Sequence, residues 1–268
     1  MAETALKIAT WNVNSVRTRL SHVVNWLQSH PVDVLCLQET KVVDEKFPCE
    51  PFADLGYHTY VFGQKSYNGV AILSRSPLNN VSLGFSSILG ESVAVFDEQK
   101  RVMAGAIAGI RVVNLYVPNG SAVGSEKYTY KLRWLAVLQD YLKAILLEQP
   151  GALLVCGDFN IALEDIDIHD PAGREQEVMA TDLERQALRA VLDLGLADVF
   201  RKFTQGGGYY SWWDYRQAAF RRNLGWRIDH IYLTPDLYGQ AIACTIDIEP
   251  RKLEQPSDHV PVTVELEI

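Results

Sequence analysis

The sequence predicts an α/β protein, or α+β in the looser sense, in which two β-sheets pack face to face with helices outside. Short apolar runs of strand length recur in both halves of the 268-residue chain, and each half has its own long amphipathic helix. No heptad, low-complexity tract or linker separates the halves. One domain over residues 1–268 is therefore expected, long enough to bury a substantial core.

Taken in order, residues 6–10 read as a strand followed by Trp11-Asn12-Val13-Asn14, where Asn12 and Asn14 share one face of an extended segment. Ser15 has the character of a helix cap, and Leu20, Val23, Val24 and Leu27 recur at helical spacing up to His30-Pro31. Residues 32–37 are a buried strand that delivers Glu39 at its end. Strands follow over 57–62 and 69–74, with an Asn68-Gly69 turn between them. A meander is expected over 93–96, 102–108 and 110–117, ending on Tyr116-Val117-Pro118-Asn119.

Residues 128–147 form the longest amphipathic helix, with Leu132, Leu135, Leu138, Leu142 and Ile145 on its apolar face and Pro150-Gly151 as its stop. The apolar run 152–156 is a buried strand that ends on Gly157-Asp158-Phe159-Asn160. Asp158 and Asn160 point one way there and Phe159 turns to the core. Residues 165–181 are acidic and irregular, a surface loop with a solvated His169; residues 183–194 make a further helix stopped by Gly195. Residues 226–233 alternate as a strand with Asp229 among apolar neighbours, and Ser257-Asp258-His259 leads into a last strand over 262–268. Acids and amides thus collect at strand ends, where layered α/β proteins place their chemistry.

A net charge of −8 argues at first against a nucleic-acid partner, but its distribution is uneven. Between residues 199 and 235, Arg201, Lys202, Arg216, Arg221, Arg222 and Arg227 face only Asp214 and Asp229, a local excess of four positive charges. Tyr209, Tyr210, Trp212, Trp213, Tyr215, Phe220 and Trp226 are interleaved with them, which suits a phosphate backbone with displaced bases nearby. The competing reading of this block is an aromatic core hairpin with an arginine rim. No signal peptide and no membrane-spanning run are expected, and the scattered cysteines 36, 49, 156 and 244 read as thiols of a reducing cytosol.

The motifs Asn-x-Asn (12–14), Leu-Gln-Glu-Thr (37–40), Asn-Gly-Val-Ala-Ile (68–72), Tyr-Val-Pro-Asn-Gly (116–120), Gly-Asp-Phe-Asn (157–160), Trp-Arg-Ile-Asp (226–229) and Ser-Asp-His-x-Pro (257–261) together resemble the exonuclease III family of abasic-site endonucleases, within the endonuclease/exonuclease/phosphatase superfamily. The resemblance covers essentially the whole chain from Ile8. It implies a four-layer α/β/β/α sandwich of two mixed sheets, dependence on Mg²⁺ with Mn²⁺ as a substitute, and cleavage of a phosphodiester in double-stranded DNA that is abasic or 3′-blocked. A monomer acting in the cytoplasm is expected.

Roles follow residue by residue. Glu39 is the first candidate metal ligand, with Asn14 and Asp258 as further contributors; many relatives carry Asp where this chain has Asn14. Asp158 would hold and deprotonate the attacking water, as the matching residue does in the family. Asn160 and Asn12, neutral donors, would bind phosphate oxygens, and His259 would bind another as an imidazolium kept charged by Asp229. Tyr116 would steady the leaving oxygen or a phosphate oxygen, and Asn119 the backbone beside it. Trp212, Trp226 and Ile228 match the family's pocket for an extruded abasic sugar, and Arg216, Arg221 and Arg222 are candidate backbone contacts. Two rival functions are a phosphatase of inositol phosphates or another phosphoester, and a DNA-binding protein without catalysis. The first calls for cations rather than tryptophans around its substrate, and the second would not be expected to keep Glu39, Asp158 and His259.

Overall fold

The computed structural model describes residues 5–148, 151–174 and 176–268; residues 1–4, read as the lead into the first strand, and Pro150 of the expected helix stop lie outside them. Among the described residues the strands are β1 (Ala5–Asn12), β2 (Val34–Gln38), β3 (His58–Phe62), β4 (Val70–Ser74), β5 (Asn79–Leu83), β6 (Val102–Ile107), β7 (Ile110–Tyr116), β8 (Leu153–Asp158), β9 (Ala197–Asp198), β10 (Asp229–Leu233), β11 (Ala241–Ile246) and β12 (Val262–Glu267). They build two six-stranded sheets, in the orders β11-β12-β1-β2-β4-β3 and β5-β6-β7-β8-β10-β9. Both are mixed: β1 is parallel to β2 and β7 to β8, and the other neighbouring pairs are antiparallel. The longer helices are α1 (Leu20–Ser29), α2 (Glu126–Glu148) and α3 (Asp182–Leu192).

Strand alternation sorts residues into layers. Ile8, Cys36 and Ile72 of one sheet meet Val112, Leu154, Cys156 and Ile231 of the other in the inner core. On the outer face of the first sheet, Trp11, Leu35 and Leu73 pack with Val23 and Leu27 of α1. On the outer face of the second, Val113, Leu115 and Val155 pack with Trp134 and Leu138 of α2 and Leu188 of α3. The order is helix, sheet, sheet, helix, and it explains why β2, β4, β8 and β10 are buried at every residue: both of their faces are covered. Cys36, Cys156 and Cys244 are buried thiols and Cys49 is exposed.

Gly157 sets the spacing that matters most. At φ +145°, a Cβ there would lie 1.9 Å from the carbonyl oxygen of Leu115, so only glycine lets β7 and β8 approach. The resulting register puts Tyr116 beside Asp158, and β10 puts Asp229 opposite Asp158 on the other side.

Several local expectations are corrected. Residues 93–96 are not a strand but part of a 3₁₀ stretch, Glu91–Gln99, in which the Asp97 carboxylate accepts the N–H groups of Phe85 and Ser86. The position beside β6 belongs to β5, whose polar sequence Asn-Asn-Val-Ser-Leu suits an exposed sheet edge and conceals it from a hydrophobicity reading. Ser15 does not cap α1; its hydroxyl accepts from the Thr18 hydroxyl at 3.0 Å in a turn that precedes the helix. On α2, Leu132 is half-buried and Lys131 occupies the interior position. Residues 165–181 are not simply a surface loop, because Asp167, Ile168 and Ala180 are buried. The strand expected from Trp226 begins at Asp229; Trp226 instead bridges Trp212 and Ile168.

Candidate active site

Asn12 closes β1, Glu39 follows β2, Asp158 closes β8 and Asp229 opens β10, so these four side chains meet at one end of the seam between the sheets. Asn12 links the two sides. Its Nδ2 donates to Glu39 Oε1 at 2.8 Å and to Asp158 Oδ2 at 2.9 Å, clamping carboxylates from different sheets. Its amide group is thus held by carboxylates, strong acceptors close at hand. Asp158 Oδ1 accepts the Asn160 N–H at 2.8 Å and Oδ2 accepts the Asn160 amide at 3.2 Å. Asn160 turns back this way at φ +50°, and its Oδ1 accepts from Asn119 Nδ2 at 3.0 Å.

His259 Nδ1 lies 2.8 Å from Asp229 Oδ2, and its Nε2 lies 3.7 Å from Asp158 Oδ2. Burial favours loss of the imidazolium proton, but Asp229 and then Asp158 outweigh it and raise the His259 pKa to about 10. Burial, opposed by His259 and reinforced by Asp229, raises the Asp158 pKa to about 7. Tyr116 is buried, and burial followed by the charge of Glu39 holds its phenol well above the usual range, so it is a proton donor. Arg101 stacks 4.4 Å over its ring.

Glu39, Asp158 and His259 bring ligand atoms within 4.8 Å of one another. With His259 protonated and bonded to Asp229, the carboxylates of Glu39 and Asp158 are the donors that fit a cation. Such an oxygen pair suits a hard divalent cation. Asn14 and Asp258 are turned to protein partners. Lys41 Nζ lies 2.9 Å from Glu39 Oε2 and also donates to Asn14 Oδ1. Asn14 Nδ2 donates to Asp258 Oδ1 at 2.9 Å, and Asp258 Oδ2 accepts from Trp212 Nε1 at 3.0 Å. Asp258 thereby couples Asn14 to the tryptophan cluster. Nothing in the local sequence marks Lys41 as a site residue, although it stands two residues after Glu39.

Trp212 and Trp226 exchange backbone hydrogen bonds at 2.9 Å, and with Ile168, Ile228 and Met179 they form an apolar cluster. A backbone bridge from Trp212 to His259 joins the cluster to the acid–imidazole group. A cavity of about 370 Å³ opens here, lined by Trp212, Trp226, Met179, His169, Arg174 and Arg216 among others. His169 is therefore a lining residue rather than a solvated one. Its place depends on the Ile168–Trp226 bridge, a contact between distant segments that no local pattern announces.

The basic block divides. Arg216 pairs with Asp214 at 2.9 Å and lines the cavity, and Arg221 and Arg222 are exposed. The other three cations turn inward: Arg227 is buried between Asp167 and Asp198 at 2.7 Å each, Arg201 bonds Asp167, and Lys202 donates to carbonyls of Tyr238 and Ala241. The positive excess counted along the sequence is thus partly neutralised inside the fold.

The Endonuclease/Exonuclease/phosphatase family profile matches residues 9–259. Exodeoxyribonuclease III of Haemophilus influenzae is 32% identical over 272 residues, covering 97% of this chain and 99% of the relative. The structure of the 3′ phosphatase NExo from Neisseria bound to a product DNA hairpin has a TM-score of 0.93 at 42% identity, covering 98% of this chain and 100% of that one. An AP endonuclease from Archaeoglobus fulgidus has a TM-score of 0.90 at 42% identity with the same coverage. From its first strand to the segment that carries His259, the chain belongs to the Endonuclease/Exonuclease/phosphatase family, on its exonuclease III branch of phosphodiester-hydrolysing nucleases.

Proposed function

We propose that this DNA repair nuclease is Mg²⁺-dependent, with Mn²⁺ able to substitute, and hydrolyses the phosphodiester 5′ to abasic sites in duplex DNA, with 3′→5′ exonuclease and 3′-end-cleaning activity besides. One observation carries the reading: two clamped carboxylates and an acid-paired imidazolium are joined, through the backbone bridge from His259 to Trp212, to a tryptophan-lined cavity. The breadth of activity follows relatives named as exodeoxyribonuclease III, 3′ phosphatase and AP endonuclease. A Mg²⁺ ion held by Glu39, beside Asp158, would neutralise phosphate charge and acidify water.

The chain's own groups supply the rest. Asp158 accepts the proton of the attacking water. His259 Nε2–H donates to a phosphate oxygen while Asp229 keeps the ring charged and oriented. Tyr116, protonated, donates to the leaving oxygen, and Asn119 and Asn160 brace the loops around it. The cavity lined by Trp212, Trp226 and Met179, backed by the buried Ile228, takes a sugar that has lost its base, and a missing base makes extrusion cheaper. The same reading makes the protein a monomeric, single-domain enzyme of the cytoplasm.

The test is cleavage of an abasic duplex, a 3′-phosphate duplex, an undamaged duplex and an inositol phosphate, each with and without Mg²⁺. Cutting of the DNA substrates only with metal is expected, and turnover of the inositol phosphate alone overturns the reading. Trp226→Ala is expected to lower kcat/KM on abasic duplex about tenfold or more by loosening that cavity, with Mg²⁺ affinity by calorimetry unchanged. With Arg216, Arg221 and Arg222 facing outward, duplex affinity should fall with salt at a log–log slope of about −3. A flat titration would remove those arginines from the backbone contact.

A further inference from the structure

Helix α2 carries a charged side chain into the interior that the chemistry above leaves unused. Lys131 is fully buried, and its three ammonium hydrogens have three acceptors: Glu184 Oε1 at 2.5 Å, the Asn160 carbonyl at 2.7 Å and the Asn119 carbonyl at 3.1 Å. Glu184, buried in the first turn of α3, also accepts the N–H of Met179 at 2.9 Å and the N–H and hydroxyl of Thr181 at 3.1 and 2.7 Å. One ion pair therefore fixes the backbone of three segments. These are the turn after β7 with Asn119, the turn after β8 with Asn160, and the loop that sets Met179 against the tryptophans.

Asn160 has particular need of it. Its N–H and amide are committed to Asp158, its side-chain oxygen to Asn119, and its backbone holds φ +50°. Its carbonyl is left pointing inward, and Lys131 is what meets it there. A buried ion pair is no more stabilising than a well-packed apolar pair of the same volume, so stability alone does not account for a lysine at this position.

We propose that Lys131, held by Glu184, is a positioning residue that sets the angle at which the Asn119 and Asn160 turns present Asp158 to the reacting phosphodiester. The inference rests on the nuclease reading above. Removing one partner would leave a lone buried charge, so the decisive variant is Lys131→Met with Glu184→Leu, which removes both charges and keeps the volume. It leaves the Asn119 and Asn160 carbonyls and the Met179 and Thr181 N–H groups without their partners, so its melting temperature should fall; at a temperature where it is folded, kcat should be lowered about 10²-fold by the misplaced turns.

Lys131→Arg, which restores charge and donors, should recover most of the lost kcat. Glu184→Gln, which keeps one acceptor oxygen for Lys131 but turns an NH2 toward the Thr181 N–H and hydroxyl, should lower kcat several-fold at constant KM and keeps the test open if the paired variant does not fold. Unchanged kcat in either the folded paired variant or Glu184→Gln overturns the proposal, as does a loss confined to KM. The amide resonance of Asn160 in the protein without DNA gives a separate readout. It should move in these variants even if the wild type cut no DNA, and a static resonance refutes the proposal independently of the nuclease reading.

Discussion

Asp158→Asn is expected to lower kcat by about 10³-fold, within the range that general-base catalysis supplies, while abasic duplex still binds. The substitution is nearly isosteric. Asparagine can keep accepting the Asn160 N–H through its oxygen, so the turn after β8 should hold. What disappears is the anion that Asn12 clamps beside Glu39 and that His259 Nε2 faces at 3.7 Å. Duplex affinity should stay equal or tighten, because a negative charge near the phosphate is removed. Single-turnover cleavage and binding isotherms measure the two effects separately, and a variant within tenfold of wild-type kcat would take Asp158 out of the base role. The acid side of the pH profile has a definite sign: the base must be ionised, so rate rises with pH as Asp158, whose pKa burial raises to about 7 in the metal-free protein, loses its proton. A bound cation moves that limb lower.

His259→Gln should cost about 10²–10³-fold in kcat/KM, the usual loss on removing a donor aimed at developing charge. Its raised pKa makes a second statement. The imidazolium is retained below about 10 and lost as pH rises through that value, so the alkaline limb of activity should lie near 10. In Asp229→Asn the carboxylate that does most to hold the proton on the ring is gone, and that limb should fall toward the ordinary histidine value of about 6.5. Rate profiles and a histidine NMR titration of the metal-free protein follow the same proton. A His259 that is already neutral at pH 8 in the wild type would sink the assignment.

Strand ends were legible because strands here are short apolar runs. Glu39 and Asp158 stand where such runs stop, and nothing local could bury them without partners. The pairing of His259 with Asp229 needed the family likeness, since 30 residues separate them. Other features were hidden by physics that a linear reading does not contain. Strand β5 is polar because it lies at an edge, and residues 93–96 look like a strand only until Asp97 ties that segment to Phe85. Arg227 reads as a surface cation because its acids, Asp167 and Asp198, come from other segments. Lys131 interrupts an apolar helix face, and its partners, Glu184 and the carbonyls of Asn119 and Asn160, all come from other segments.

The Asn12 clamp ties activity to the integrity of the whole molecule. Glu39 hangs from a sheet built from the two ends of the chain, and Asp158 from a sheet built from its middle. Neither subassembly owns a working centre, so proteolytic fragments should be inert apart and regain turnover only on complementation. Turnover can then serve as a sensitive gauge of correct refolding.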